Sequence, residues 1–272
     1  MNNLNIAFFG SDEFSIKVLE ELEKVNIIPN LIVTVPDKPK RRKLILTPPL
    51  TKVWAEKKNI KVIQPEKLTV DVFKENYDLF LVASYGLIIP KPILELPKYK
   101  SLNVHPSLLP LLRGASPIET AILNDMKETG VTIIKMDEKM DHGPILDQEL
   151  VTFNEWPKKE LVRDKLATIG GQLLGRVIPM WVNNEIEEQE QDHDLATFTK
   201  KIKKEDGLLN LDNKYESFLK IQALNPWPGA FFFKNDKRVK VTEATYKDNN
   251  LEILKVIPEG KKEMNYRDFN KN

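Results

Sequence analysis

Asn103 and His105 stand two residues apart in a strand-like stretch, Ser101-Leu102-Asn103-Val104-His105, and Pro106 turns the chain directly afterwards. In an extended strand residues i and i+2 share a face. A carboxamide and an imidazole would therefore point together from the strand's carboxyl end. A neutral amide donor beside a histidine is what a developing oxyanion needs. An isolated Asn-x-His would be read more plainly, as a strand-end histidine bonded to backbone. Further along, residues 136–145 (MDEKMDHGPI) follow another strand-like run, 130–136. Because the strands are expected to run parallel, this loop is expected to open on the same sheet edge, with Asp137 and Asp141 as candidate partners for a histidine. A loop aspartate is more often a turn or cap residue, and His142 in its Asp-His-Gly-Pro turn is expected at the surface.

A different chemistry is suggested at 36–52 (PDKPKRRKLILTPPLTK). Lys38, Lys40, Arg41, Arg42, Lys43 and Lys52 face one acid, Asp37. Four prolines are expected to keep the segment out of helix and ladder strand. Such a loop could lie along phosphates, with Leu44, Ile45 and Leu46 set against a base or folded back on the domain. A solvated face accounts for the charge equally well at this point. The turn Gly10-Ser11-Asp12-Glu13-Phe14 has one glycine where a dinucleotide fingerprint needs three. Without close backbone approach for a pyrophosphate, dinucleotide binding is disfavoured and a plain tight turn is expected.

Composition narrows the classes further. The 272 residues contain no cysteine and three scattered histidines, so disulfides and thiolate metal sites are impossible and a histidine-rich metal site is not expected. Lys and Arg total 41 against 40 acids, so the net charge of +1 says nothing about partners. No run of 18 apolar residues exists, so no membrane span is expected. The opening residues lack the basic and apolar regions of a signal peptide, and the cytoplasm is the expected compartment.

The elements that must hold these residues are short apolar runs alternating with amphipathic stretches. Strands are expected at 4–9, 31–35, 61–63, 78–83, 101–104 and 130–136, and helices at 15–25, 52–59, 117–126 and 158–183. That alternation predicts an α/β, doubly wound, mostly parallel Rossmann-like sheet with functional loops at the carboxyl ends of its strands. Residues 184–194 then carry six acids and no base, read as a solvated linker. From 200 to 272 there are 16 basic and 11 acidic residues, with a helix at 214–224 and strands at 230–233, 237–242 and 250–257.

Taken together, Asn103-x-His105-x-Ser107-Leu108-Leu109-Pro110, Arg113-Gly114-Ala115-x-Pro117-Ile118 and Met136-Asp137-x-x-Met140-Asp141-x-Gly143-Pro144-Ile145 resemble, in order and spacing, the folate-dependent formyltransferase family. Phe9-Gly10-Ser11, Pro36-Asp37-Lys38-Pro39, Gln64-Pro65-Glu66-Lys67-Leu68, Ala83-Ser84-Tyr85-Gly86-Leu87-Ile88-Ile89-Pro90 and Asn225-Pro226-Trp227-Pro228-Gly229 extend the resemblance over nearly the whole chain. The differences are KPKRRK where glycines are usual, Leu111-Leu112 where a basic and an aromatic residue are usual, Lys139 for a glycine, and a shortened C-terminal region.

The resemblance implies transfer of the formyl group of 10-formyltetrahydrofolate to the α-amine of methionine carried on initiator tRNA, in translation initiation. A nucleotide-sugar amine is the alternative acceptor. It implies a formyltransferase domain over 1–183, an acidic linker over 184–199 and a small, shortened OB-like tRNA-binding domain over 200–272. It makes Asn103, His105 and Asp141 catalytic. Folate would be held by Ser107, Leu108, Leu109 and Pro110 with Leu87, Ile88 and Ile89, and tRNA by Lys38, Lys40, Arg41, Arg42 and Lys43. No metal is expected, and the expected state is a monomer.

Overall fold

The computed structural model describes residues 4–40 and 45–271. Its first part contains β1 (Ile6–Phe9), β2 (Leu31–Val33), β3 (Lys38–Lys40), β4 (Ile45–Thr47), β5 (Lys61–Ile63), β6 (Leu79–Val82), β7 (Ser101–His105), β8 (Glu128–Lys135) and β9 (Ile145–Thr152). Seven of them make one sheet in the order β5-β2-β1-β6-β7-β8-β9. The pairs β5–β2, β2–β1, β1–β6 and β6–β7 are parallel. β1 and β6 are buried throughout, which is why they read as continuous apolar runs rather than alternating ones. Phe9, Phe80, Tyr85 and Tyr77 lie in one core cluster beneath the strand ends, with Phe73 packed against it. The strand order reverses direction between β1 and β6, and such a switch point opens a crevice at the carboxyl ends of the strands.

The expected parallel run fails at one pair. β8 lies antiparallel to β7, with Leu102 opposite Lys135 and His105 opposite Thr132. The loop after β8 therefore leaves beside Leu102, away from the end of β7 that carries His105, and the sheet-edge argument for Asp141 is corrected. β9, an edge strand with irregular alternation of burial, was not anticipated from the sequence.

The helices are α1 (Glu13–Lys24), α2 (Leu50–Lys57), α3 (Lys91–Leu94), α4 (Pro117–Leu123), α5 (Lys159–Val182), α6 (Lys214–Leu224) and α7 (Tyr266–Asn270). Asp12 caps α1 by accepting from the Ser15 N–H at 3.2 Å.

The prolines at 36–49 do not exclude strand structure. β3 and β4 form a two-stranded antiparallel ribbon in which Pro39 is paired with Leu46. Each strand of such a ribbon has an open edge, where a missing N–H costs nothing. Arg41, Arg42 and Lys43 lie outside the described residues.

Two compact units divide the chain discontinuously. One comprises the residues up to Arg113 with Gly130–Val151 and Arg163–Thr197; the other comprises Gly114–Thr129, Thr152–Val162 and the residues from Phe198 on. In the second unit β10 (Phe231–Lys234), β11 (Lys237–Lys247), β12 (Asn250–Pro258) and β13 (Met264–Asn265) form an antiparallel sheet in sequence order. No pairing joins β10 to β13 among the described residues, so this small β domain is an open sheet rather than a closed barrel. Its core is Leu209, Ile221, Ala230, Phe232, Val239, Val241, Ala244 and Val256. Asn225, at the end of α6, donates to the carbonyls of Ile221 and Val241.

Candidate active site

β7 is buried along its whole length, and it delivers Asn103 and His105 as the two-residue spacing predicts. The Asn103 carboxamide makes no hydrogen bond among the described residues. His105 is held at both ring nitrogens. Nε2 lies 3.1 Å from the Leu112 carbonyl oxygen, which can only accept, so Nε2 carries the proton. Nδ1 lies 3.5 Å from an Asp141 carboxylate oxygen. The ring and the carboxylate form an ion pair when the ring is protonated.

Asp141 reaches this position because its loop folds back. Lys135 N–H donates to Pro144 O at 3.0 Å, and Met136 N–H donates to Ser101 O at 2.8 Å. Gly143 makes this return possible, since a Cβ there would stand 1.9 Å from the Lys135 carbonyl oxygen. Asp141 itself has φ +50, a left-handed conformation that aspartate tolerates better than bulkier residues.

The loop from Pro106 to Arg113 is fixed from several sides. Thr132 Oγ1 donates to Ser107 O at 2.6 Å and accepts from Leu109 N–H at 3.1 Å. Gln148 Nε2 donates to both Leu109 O and Thr132 Oγ1 at 2.8 Å. Thr197 Oγ1 accepts from Leu112 N–H at 2.8 Å, and Thr197 O accepts from Arg113 N–H at 2.9 Å. Ser107 Oγ donates to Leu111 O, and Leu109 packs with Ile134 and Ile145. The side chains of Ser107 and Leu109 are thus committed to the loop's own structure, while Leu108 and Pro110 are half-buried.

Beneath the loop Arg113 is 3% exposed. Burial pushes its guanidinium below the usual arginine range, against the pull of Asp141 and Asp137. It donates to Gln191 Oε1 from Nε at 3.1 Å and from Nη2 at 2.5 Å, and from Nη2 to His193 Nδ1 at 2.9 Å. His193 stacks on His142 at 4.0 Å between ring centroids, and His142 Nδ1 meets Asp137 Oδ2 at 2.7 Å. His142 is therefore a half-buried member of this cluster, not a free surface residue. The stretch read as a solvated linker is corrected at Gln191, which is 5% exposed although the acids around it face solvent. Gln191, His193, Thr132 and Thr197 were missed because nothing in their local sequence marks them; a glutamine amid uncompensated acids is the only hint.

At the switch point the first turn is filled by protein groups. Ser15 Oγ donates to Ala83 O at 2.6 Å, Ser84 Oγ donates to Asp12 at 2.5 Å, and Ser11 Oγ donates to Ser84 O at 3.1 Å. Burial raises the Asp12 carboxyl above its usual range, opposed by its bonds from Ser84 and Ser15. This carboxyl group occupies the helix N-terminus that a pyrophosphate would need, in accord with the missing glycines. These bonds also anchor the segment that follows. Its Leu87 and Ile88 are 42% and 83% exposed, whereas Ile89 is buried in the core.

Among the basic residues, Lys38 is exposed on the ribbon. Asp37 cannot neutralise it, being held by Gln64 Nε2 at 2.6 Å and Lys52 Nζ at 2.9 Å, which together keep its carboxyl below the usual range. No cluster of metal-ligating groups exists among the described residues, and no helix there is long and apolar enough to cross a membrane. A concavity of about 330 Å³ on the C-terminal sheet is lined by Glu243, Glu252, Lys255 and Arg267; these pair as Lys255–Glu243 and Arg267–Glu252, leaving no convergent chemistry there.

A strand-end Asn-His pair, an aspartate returned to it and an anchored apolar loop at the switch point define a class. The formyl transferase family model matches residues 4–178 and the formyl transferase C-terminal domain model matches residues 201–250; the chain belongs to the formyl transferase family. It is 36% identical to the methionyl-tRNA formyltransferase of Halalkalibacterium halodurans, over 98% of this chain and 94% of that one. To that of Bacillus cytotoxicus it is 40% identical, over 88% and 78%. At this identity and coverage the chain falls with the methionyl-tRNA formyltransferases within the family. Among solved structures, the methionyl-tRNA formyltransferase from Clostridium thermocellum matches with a TM-score of 0.65 at 21% identity, covering 94% of this chain and 99% of that one. The N-formyltransferase from Helicobacter canadensis, in complex with folinic acid and dTDP-3-aminofucose, matches at 0.68 and 21%, covering 90% and 89%. These two structures share the fold.

Proposed function

We propose that the chain transfers a formyl group from 10-formyltetrahydrofolate to the methionine α-amine of initiator methionyl-tRNA. The observation that carries the assignment is the strand-end trio, with the Asp141 carboxylate 3.5 Å from His105 Nδ1 and Asn103 two residues before the ring.

When bound, the folate supplies the formyl group on N10. The chain's residues then manage charge and protons. The Asn103 amide, with no hydrogen-bond partner among the described residues, donates to the oxygen that becomes negative as the formyl carbon turns tetrahedral. His105 adds a second donor once Nε2 leaves the Leu112 carbonyl. Asp141 balances the imidazolium and holds a water that passes the amine proton to N10. The donor set fits the folate: Leu87 and Ile88 offer exposed apolar surface at the switch point, and the anchored loop 107–110 gives a fixed wall.

For the tRNA, Lys38, Lys40, Arg41, Arg42 and Lys43 supply the positive charge; of these Lys38 is exposed, and Asp37 is taken by Lys52 and Gln64. Phosphates are the matching partner. The test is purified protein with 10-formyltetrahydrofolate and charged initiator tRNA, with formylmethionine as the product measured. A dTDP-linked amino sugar serves as competing acceptor. Formylation of the sugar alone would reject the assignment.

A further inference from the structure

Gln191 is bonded on both sides by groups of opposite kind. On one side lies Arg113, which has only donors, with Nε at 3.1 Å and Nη2 at 2.5 Å from Gln191 Oε1. On the other lie two main-chain carbonyls, which only accept. Gln191 Nε2 donates to Asp141 O at 3.0 Å and to Gly143 O at 2.7 Å. The amide orientation is thereby dictated by chemistry. Glutamate at this position could satisfy the arginine but not the carbonyls, and lysine the carbonyls but not the arginine. A neutral amide of this length serves both. The side chain is brought there by the backbone: Ile145 and Gln189 exchange N–H to O bonds of 2.8 and 2.9 Å, which lays residues 189–191 along the return of the Asp141 loop.

We propose that Gln191 is a positioning residue for the formyl-transfer step, holding the Asp141 loop on Arg113 so that the Asp141 carboxylate stays against His105. The proposal rests on the assignment of Asp141 to the catalytic trio. Both hydrogen atoms of the Gln191 amide end on the segment 141–143, and the acceptor end is locked by an arginine that is itself buried. Loss of those two bonds removes the hold of Gln191 on the segment 141–143, where Asp141 has a left-handed backbone. A displacement of about 1 Å in a reacting constellation can cost about 100-fold in rate. Gln191 touches neither acceptor nor donor in this role, so its effect belongs in kcat.

The test compares Gln191→Glu, Gln191→Leu and Asp141→Asn, singly and combined, in the full chain. Gln191→Glu keeps the acceptor for Arg113 and sets a carboxylate against two carbonyls; Gln191→Leu removes both functions. The expected result for Gln191→Glu is a fall in kcat of about 10- to 100-fold, with KM for folate and for tRNA unchanged within about twofold and a cooperative thermal transition retained. Added to Asp141→Asn, either Gln191 change should lower kcat no further, because both act through one carboxylate. If Gln191→Leu does not fold, Gln191→Glu alone decides, since it preserves the buried arginine contact. A normal kcat in Gln191→Glu beside a crippled Asp141→Asn overturns the proposal, as does a full independent loss in the combined variant. A normal kcat in Asp141→Asn overturns the trio itself and this role with it.

Discussion

Between His105 and Arg113, the side chains of Thr132, Gln148 and Thr197 each hold a backbone group of the loop. Between Lys38 and Thr47, the ribbon has three pairs of residues in register and leaves Ile45 and Leu46 more than half exposed. The first region places a few side chains to within hydrogen-bond tolerance, as a reacting centre requires. The second presents Lys38, Ile45 and Leu46 to solvent. A polyanion is bound through field and counterion release, which need position only coarsely. Perturbation of either region should register in a different measurement.

The largest effect is expected at the reacting centre. Asn103→Ala and His105→Ala should each lower the single-turnover rate of formyl transfer by about 10²–10³-fold, the usual cost of one oxyanion donor. Binding of folate and tRNA should change little. Near-normal rates in either variant would remove that residue from the trio.

Next is the support beneath it. Thr132→Val is isosteric and leaves Leu109 N–H, Ser107 O and one Gln148 bond without their partner. Stranding one buried polar group costs about 1–3 kcal/mol, so the unfolding free energy should drop by at least that amount. kcat should fall as well, because Thr132 anchors the loop 107–110 that is proposed to wall the site. A stability loss with full activity would show that the loop's order serves folding alone.

How much of this could be read in advance follows the range of the interactions. Asn103 and His105 were legible because strand alternation acts over two residues. Strands β1 and β6 were legible from their unbroken apolar runs, and the shortened C-terminal sheet from the missing length. The antiparallel turn of β8 was not, since apolar patterning carries no strand direction. Asp141 was named for a sheet edge at which its strand does not end; it arrives by a loop whose return depends on Gly143 and on Gln191, 50 residues away. His142 gave only turn residues as neighbours, and its burial comes from His193. Pro39 signalled an irregular loop because proline's missing N–H matters in an inner strand, but not at the open edge of a ribbon.

On the ribbon side the expected effect is smaller and salt-dependent. Replacing both Arg41 and Arg42 by alanine should flatten the log–log salt dependence of tRNA binding by about one unit per lost phosphate contact. Single-turnover rates at saturating tRNA should remain near those of the parent. Titrations at several salt concentrations measure the slope. Equal slopes in parent and variant would make the ribbon a solvated face.

The smallest effect concerns Tyr85, between the two regions in sequence and part of the anchored switch-point loop. Its hydroxyl is buried without a hydrogen-bond partner among the described residues, and its ring stands edge-on to Phe9 at 5.4 Å. Burial pushes the phenol up to about 12. An unsatisfied buried hydroxyl is a cost that Tyr85→Phe removes, set against the small void it leaves. Stability at neutral pH should therefore change by no more than about 1 kcal/mol, toward greater stability. The sign at high pH follows from linkage. A phenol whose folded value lies above its unfolded value, about 10, contributes stability that is complete below the unfolded value and is lost as pH rises through about 12. Tyr85→Phe has no such group to ionise, so its alkaline unfolding should begin at higher pH than that of the parent. Denaturation at neutral pH and tyrosinate absorbance on alkaline titration measure the two halves. A loss well beyond 1 kcal/mol would mean that the hydroxyl bonds a bound water. The switch-point loop would then depend on a polar contact, as the loop after β7 does, instead of on packing.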